Sequence, residues 1–395
     1  MKSKQLFILI IVALVLGGGG LMVLKQRSST YDRSRSNMGG SLLGAFDGST
    51  VLGVRISQGS NAVNIVQQGQ KWVVKERGNY AANMADLGSF VTKLAELKVT
   101  RPVNVGPSRL PMLQLSGDAA TVVELLDNAG KAIKTLRLGK QSTKGGEDDA
   151  MGGGFPDGRY VQVGQAISLI NDPLTSAQPR PENWIAKEFI KVEQPVFVQI
   201  THPEATNSFT LSRTNEFSDW TLVNAAAGET ADKNKLFGFN NLLSSASFND
   251  LILNPDIAKL GLDHPIEATI KTASGFTYQI KLGKPEGENY PMQVTVAANL
   301  VKDRKAPADE KAEDKTRLDK EFQEKLEKLE KKAKTEEAFG KWTFTVSKWT
   351  VDSLLKKRGE LQPDKPGETP GGAAGGPGIP NIPGLQGLQG LPTGQ

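Results

Sequence analysis

The chain contains no cysteine, and that single absence removes disulfides, thiolate metal sites and cysteine nucleophiles together. It also removes lipid attachment of the kind that needs a cysteine after an apolar leader. Histidine is nearly as scarce. The two that occur, His202 and His264, are each followed by proline, and neither has the Glu-x-x-His or His-x-x-x-His neighbour of a zinc site. Both are expected at surface turns or strand ends. No G-x-S-x-G nucleophile elbow is present. Gly152-Gly153-Gly154 lacks the Lys-Ser/Thr and the following helix of a phosphate loop, and Asp148, Asp149 and Asp157 lack the spacing and distal Glu of a calcium loop. Both stretches read as solvated loops. A dominant charge is missing too: 48 Lys and Arg face 43 Asp and Glu, for a net charge of +5. Without a basic stripe interleaved with aromatics, nucleic acid is not an expected partner. Catalytic residues, metal ligands and cofactor motifs are all wanting, so the expectation is a non-enzyme without a cofactor.

What is present begins with an apolar run. Residues 6–24, LFILIIVALVLGGGGLMVL, carry no charge and lie between Lys2 and Lys4 on one side and Lys25 and Arg27 on the other. At about 1.5 Å per residue a helix of this length nearly crosses the roughly 30 Å of bilayer hydrocarbon. A cleavable signal peptide is the alternative, but its apolar region would be shorter and an A-x-A-like site would follow. The expectation is therefore a transmembrane helix within residues 1–26, in contact with the lipid bilayer through residues 6–24. A polar linker over 27–49 leads to a body placed outside the inner (cytoplasmic) membrane of a bacterium.

The body says the same thing twice. Residues 54–140 and 198–284 share an order of landmarks: a strand-like run, a lone Trp (Trp72, Trp220), a helix-like segment, and a closing Leu-Gly-Lys around Gly139 and Gly283. In the first copy Met84, Leu87, Phe90, Val91, Leu94 and Leu97 recur at helical spacing. In the second, Asp232 is a candidate N-cap ahead of Leu236, Phe239, Asn240, Leu242 and Leu243. Asn183 to Ile190 reads as a short helix whose Trp184 plugs the space between the copies. The fold class expected is α+β: a transmembrane helix, then two tandem sandwiches, each a small antiparallel sheet with one packed helix. The first repeat is placed at 50–170, a connecting segment at 171–194 and the second repeat at 195–360. Trp72 and Trp220 are expected as core plugs rather than sugar platforms.

Two additions break the symmetry. The charged stretch 302–341 carries Leu318, Phe322, Leu326, Leu329 and Ala333 at intervals of four, four, three and four, a helix with a narrow apolar seam. That seam, Leu318 to Leu329, either packs back on its own domain or docks a partner. Residues 361–395, rich in Pro, Gly, Gln and Leu, read as a disordered tail without periodicity.

The second copy carries Ile200-Thr201, Trp220-Thr221-Leu222, Lys259-Leu260-Gly261-Leu262-Asp263-His264-Pro265 and Ile280-Lys281-Leu282-Gly283-Lys284. With these it resembles the bacterial domain-of-unknown-function 4340 family, whose pattern is a strand, a Lys-Trp strand, a helix, a Gly-Leu-Asp turn and a closing Gly strand. The first copy resembles it through Gln70-Lys71-Trp72-Val73-Val74 and Leu136-Arg137-Leu138-Gly139-Lys140. There Leu113-Gln114-Leu115-Ser116 stands in place of the Gly261-Leu262-Asp263 turn, so the turn is expected to be lost. The resemblance implies two tandem copies in an envelope accessory protein, partnered by a membrane protein of ABC-permease or gliding-motility type, and it supplies no catalytic residues. The expected function is a non-catalytic scaffold, the first copy a spacer and the second presenting the partner surface. Binding of envelope glycan or peptide in the crevice between copies is the alternative.

Overall fold

The computed structural model describes residues 38–144, 155–307 and 310–364. The apolar run 6–24, residues 27–37 of the linker, the Gly152 loop with Asp148 and Asp149, and the tail beyond Asp364 lie outside the described residues.

The first unit runs β1 (Gly53–Gln58), β2 (Asn61–Gln68), β3 (Lys71–Val74), β4 (Tyr80–Ala81), α1 (Met84–Glu96), β5 (Arg101–Pro102), β6 (Thr121–Leu126), β7 (Ala132–Lys144), β8 (Phe155–Val163) and β9 (Ala166–Ile170). The second runs β10 (Pro195–Thr201), β11 (Phe209–Ser212), β12 (Thr221–Leu222), α2 (Lys233–Leu236), β13 (Asp250–Ile252), β14 (Ile266–Thr272), β15 (Phe276–Leu282) and β16 (Asn289–Ala298). It ends with α3 (Ala312–Glu337), β17 (Thr343–Ser347) and α4 (Lys348–Leu355). Alternation does the folding work. In β15, Phe276, Tyr278, Ile280 and Leu282 are buried, so one face of the sheet is apolar and turns inward.

The sheets are nine-stranded, β4-β3-β2-β1-β6-β7-β8-β9-β5, and eight-stranded, β12-β11-β10-β14-β15-β16-β17-β13. Leaving out β4, the two orders coincide place for place. Register agrees as well. Val54 pairs with Ile65 and Ile65 with Val74, just as Val198 pairs with Leu211 and Leu211 with Leu222. Trp72 and Trp220 therefore occupy equivalent positions, two residues before the paired Val74 and Leu222.

The structure corrects the expected fold class. The described chain is mostly two large antiparallel sheets with few helices, not two small sandwiches each with a packed helix, because β5 and β13 return to lengthen one edge of each sheet. In the first unit α1 is capped by Asn83, whose side chain accepts from the Ala85 and Asp86 N–H groups, and it buries Leu87, Phe90 and Leu94. The second unit begins the same way with Asp232, but after one turn the helix tightens into a 3-10 segment, Phe237–Asn241, that contains Gly238. The expected transmembrane helix is not supported: among the described residues no helix is long and apolar enough to cross a membrane.

Residues 183–190 are not a helix either. After the 3-10 turn Pro181–Asn183 the chain extends along β4, where Asn83 N–H donates to the Trp184 carbonyl and Ala186 N–H to the Ala81 carbonyl, each at 2.8 Å. Sheet-edge pairing outweighs local helix preference there. The packed body also continues past 360: Leu361 is fully buried and its carbonyl accepts from Asp232 N–H at 2.8 Å.

Candidate functional site

The Leu-Gly-Lys markers are close approaches of backbone. A Cβ on Gly139 would stand 2.2 Å from the Leu113 carbonyl oxygen, and one on Gly283 would stand 2.1 Å from that of Leu260. Only glycine lets a turn lie against the strand at these points. The turn itself is present in both units. Gly261 has φ +67° and Gln114, at the matching place, has φ +54°, with Leu262 and Leu115 buried after them. Leu115 N–H donates to the Leu110 carbonyl and Leu262 N–H to that of Ile257. The expected loss of the first turn is thus corrected: a glutamine holds the left-handed position at a conformational cost of roughly 1–2 kcal/mol.

The tryptophans differ more. Trp72 is half-buried on the core. Trp220 is buried; its Nε1–H donates to Asn240 Oδ1 at 3.0 Å and the Arg213 guanidinium lies 4.5 Å from its ring. Arg213 also donates to Asn240 and to the Pro195 carbonyl, and burial lowers its pKa against the opposing charge of Glu216.

The charged stretch forms α3, and it sits where the first unit has almost nothing. β8 and β9 are joined by Gly164 and Gln165 alone, whereas the equivalent β16 and β17 are separated by residues 299–342. Acidic Glu313 and Asp314 in the first turn and Lys334 in the last suit the helix dipole. All four seam residues, Leu318, Phe322, Leu326 and Leu329, are half-buried. The core takes Leu329 and Ala333, and Phe339 is buried just beyond the helix.

A polar pin fixes that end. The buried Glu336 carboxylate accepts from Lys191 N–H at 2.9 Å and from the Tyr278 hydroxyl at 2.8 Å, while Lys332 donates to both Glu336 and the Lys191 carbonyl. Burial, and then the Glu336 charge, push the Tyr278 pKa far above its ordinary value. That hydroxyl stays protonated, and its role is to hold helix, sheet and connecting segment together. At the other end Arg304 forks onto Glu310 and reaches Asp319 at 2.7 Å, tying the preceding loop to the helix start.

The junction between units is filled. Arg77 of the first unit makes two hydrogen bonds to Asp250 of the second, at 2.6 and 2.7 Å, and pairs with Glu182 at 3.1 Å. Beside it the Tyr80 ring meets Trp342 edge-on at 5.1 Å and Phe248 at 6.0 Å. Phe248 in turn packs with Phe189 and Phe344. Trp184 turns toward the first unit, its ring 5.2 Å from Phe90 and its Nε1–H on the Gln178 carbonyl.

Of the two histidines, His264 is exposed, but His202 is buried, which corrects the surface-turn expectation: its Nε2 lies 2.9 Å from the Lys356 carbonyl. The ring fastens the strand end to the segment after α4. Among the described residues no group of three His, Asp or Glu side chains is placed to hold a metal ion.

The model of a family described as a domain of unknown function, DUF4340, matches residues 72–265. That stretch belongs to this family. The match begins at Trp72 in β3 and ends at Pro265, just before β14, so it crosses the junction and takes in both glycine-type turns instead of following one copy. No curated protein and no solved structure matches the chain.

Proposed function

We propose that the protein is a non-catalytic accessory subunit seated at the bacterial inner membrane, a scaffold for an envelope complex of the ABC-permease type. One observation carries this reading. The second unit opens a two-residue hairpin turn into a pinned, charged helix whose outer residues Leu318, Phe322 and Leu326 are only half-buried. A rigid helix presenting such a seam suits docking of a protein partner by helix-in-groove contact. The sequence of residues 6–24 supports the membrane seat, and the bulk of the chain is then extracytoplasmic. Glycan or peptide binding in the crevice between units has less support, because Arg77, Tyr80, Phe248 and Trp342 occupy that junction.

Co-purification of the full chain in mild detergent tests the proposal. A membrane protein should travel with the wild-type chain and be lost from Phe322→Asp with Leu326→Asp, whose melting midpoint should move by less than about 4 °C. Recovery of the wild type only as an isolated monomer overturns the reading.

A further inference from the structure

The charged helix carries its own cover. β16 ends at Ala298, and just after it Asn299 N–H is fixed to the Gly275 carbonyl at 2.9 Å, with Leu300 packed on the core. From there residues 301–307 run without regular structure toward the start of α3, and all of them are exposed except Arg304. Its guanidinium donates two hydrogen bonds to the Glu310 carboxylate, at 2.6 and 2.5 Å, and a third to Asp319 at 2.7 Å. The Arg304 side chain is 16% exposed and that of Glu310 only 7%. A forked, charge-assisted contact is among the stronger polar ones, and here it clasps an otherwise solvated strap to the helix.

The clasp lies beside the seam. Asp319 follows Leu318 directly and stands three residues before Phe322, so it borders the seam at that end. Farther along, Leu329 and Ala333 pack on the core, whereas Leu318, Phe322 and Leu326 are half-buried without doing so. The body thus covers the C-terminal part of the seam, and the strap is the chain brought against its N-terminal part. Both ends of the strap are held independently of the clasp, at Asn299 and Leu300 on one side and by the Glu336 pin of α3 on the other. Loosening Arg304 therefore frees the strap without dismantling the core.

We infer that residues 301–307 are an autoinhibitory strap: clasped by Arg304 they cover Leu318 and Phe322, and released they open that part of the seam to a partner helix. The inference rests on the docking reading of the seam. It makes the charged fork, not the apolar contact, the step that controls access, because opening is local to a segment with no buried apolar side chain of its own.

Because the chain has no cysteine, a single introduced thiol reports this opening without background. In the full chain, Phe322→Cys should react with a maleimide about ten-fold faster once Arg304→Gln is added, while Gln323→Cys, at an exposed position on the same turn, keeps one rate in both. Arg304→Lys, which retains the charge but loses the fork, should fall between them. In the detergent co-purification, Arg304→Gln alone should raise recovery of the membrane protein. Equal rates at Phe322→Cys with and without Arg304 overturn the strap. So does a membrane protein that the parent chain recovers and Arg304→Gln recovers no better. A faster Phe322→Cys with no membrane protein on either chain overturns the docking reading instead and leaves the cover standing.

Discussion

The two units share strand order, register and a glycine-backed turn, yet the first closes its β8–β9 hairpin with two residues where the second holds a 26-residue helix. Geometry needed by the sheet is kept in both, and sequence is free wherever another residue can meet the same backbone demand. Gln114 in the left-handed position of Gly261 is the plainest case. What differs is at the edges and hairpin ends, and there the second unit carries the half-buried seam and the exposed Phe217 and Phe237.

If the shared geometry is what both sheets depend on, Gly139→Ala and Gly283→Ala should each destabilise by about 3 kcal/mol, because the new methyl meets a carbonyl oxygen in either unit. Urea denaturation reads this, and a loss at only one position would break the equivalence. The pin peculiar to the second unit comes next. Glu336→Leu should cost about 2 kcal/mol in the same assay, since Lys191 N–H loses its acceptor and the Tyr278 hydroxyl keeps only the Lys191 carbonyl. Gln114→Gly should instead stabilise, by about 0.5–1 kcal/mol, by relieving a non-glycine φ of +54°, whereas Gly261→Gln should be unfavourable.

The smallest expected effect is confined to acid. Glu229 accepts two hydrogen bonds from Arg358, at 2.7 and 2.6 Å, and one from Ala226 N–H. The Arg358 hydrogen bonds, followed by that from Ala226, hold its pKa at about 2, below the ordinary value of 4.5. A depressed carboxylate adds stability that is complete above its unfolded pKa and is lost as pH falls from about 4.5 toward 2. Glu229→Gln should flatten that part of an acid-unfolding profile, and an unchanged slope would remove Glu229 from the account.

The strand order and turn shared by the two units left marks in the sequence because those marks are physical necessities: Gly139 and Gly283 face a carbonyl, and Trp72 and Trp220 precede the paired Val74 and Leu222 by two residues. The helix at 312–337 was legible from its spacing, though not its place inside a hairpin, since that depends on where β17 pairs. The first turn was hidden because a glutamine gives no sign of a positive φ. The segment after Asn183 misled for the opposite reason: its composition suits a helix, while the unpaired edge of β4 draws it into extended pairing. His202 was misplaced because its proline neighbour suggests a turn, and its acceptor, the Lys356 carbonyl, lies far along the chain.

The edge position of β13 also bears on how the second sheet comes into being. Asp250 and Ile252 pair with Thr345 and Thr343 and with nothing nearer in sequence, so a chain emerging from its N-terminus exposes this strand long before its neighbour arrives. During that interval the edge is open to wrong pairing; in the first unit β5 likewise waits for β9, but Arg101 and Leu169 lie closer along the chain than Asp250 and Thr345. The slow step in making this protein is then the return of β17 across the charged helix, and a chain halted before residue 343 should be the aggregation-prone species.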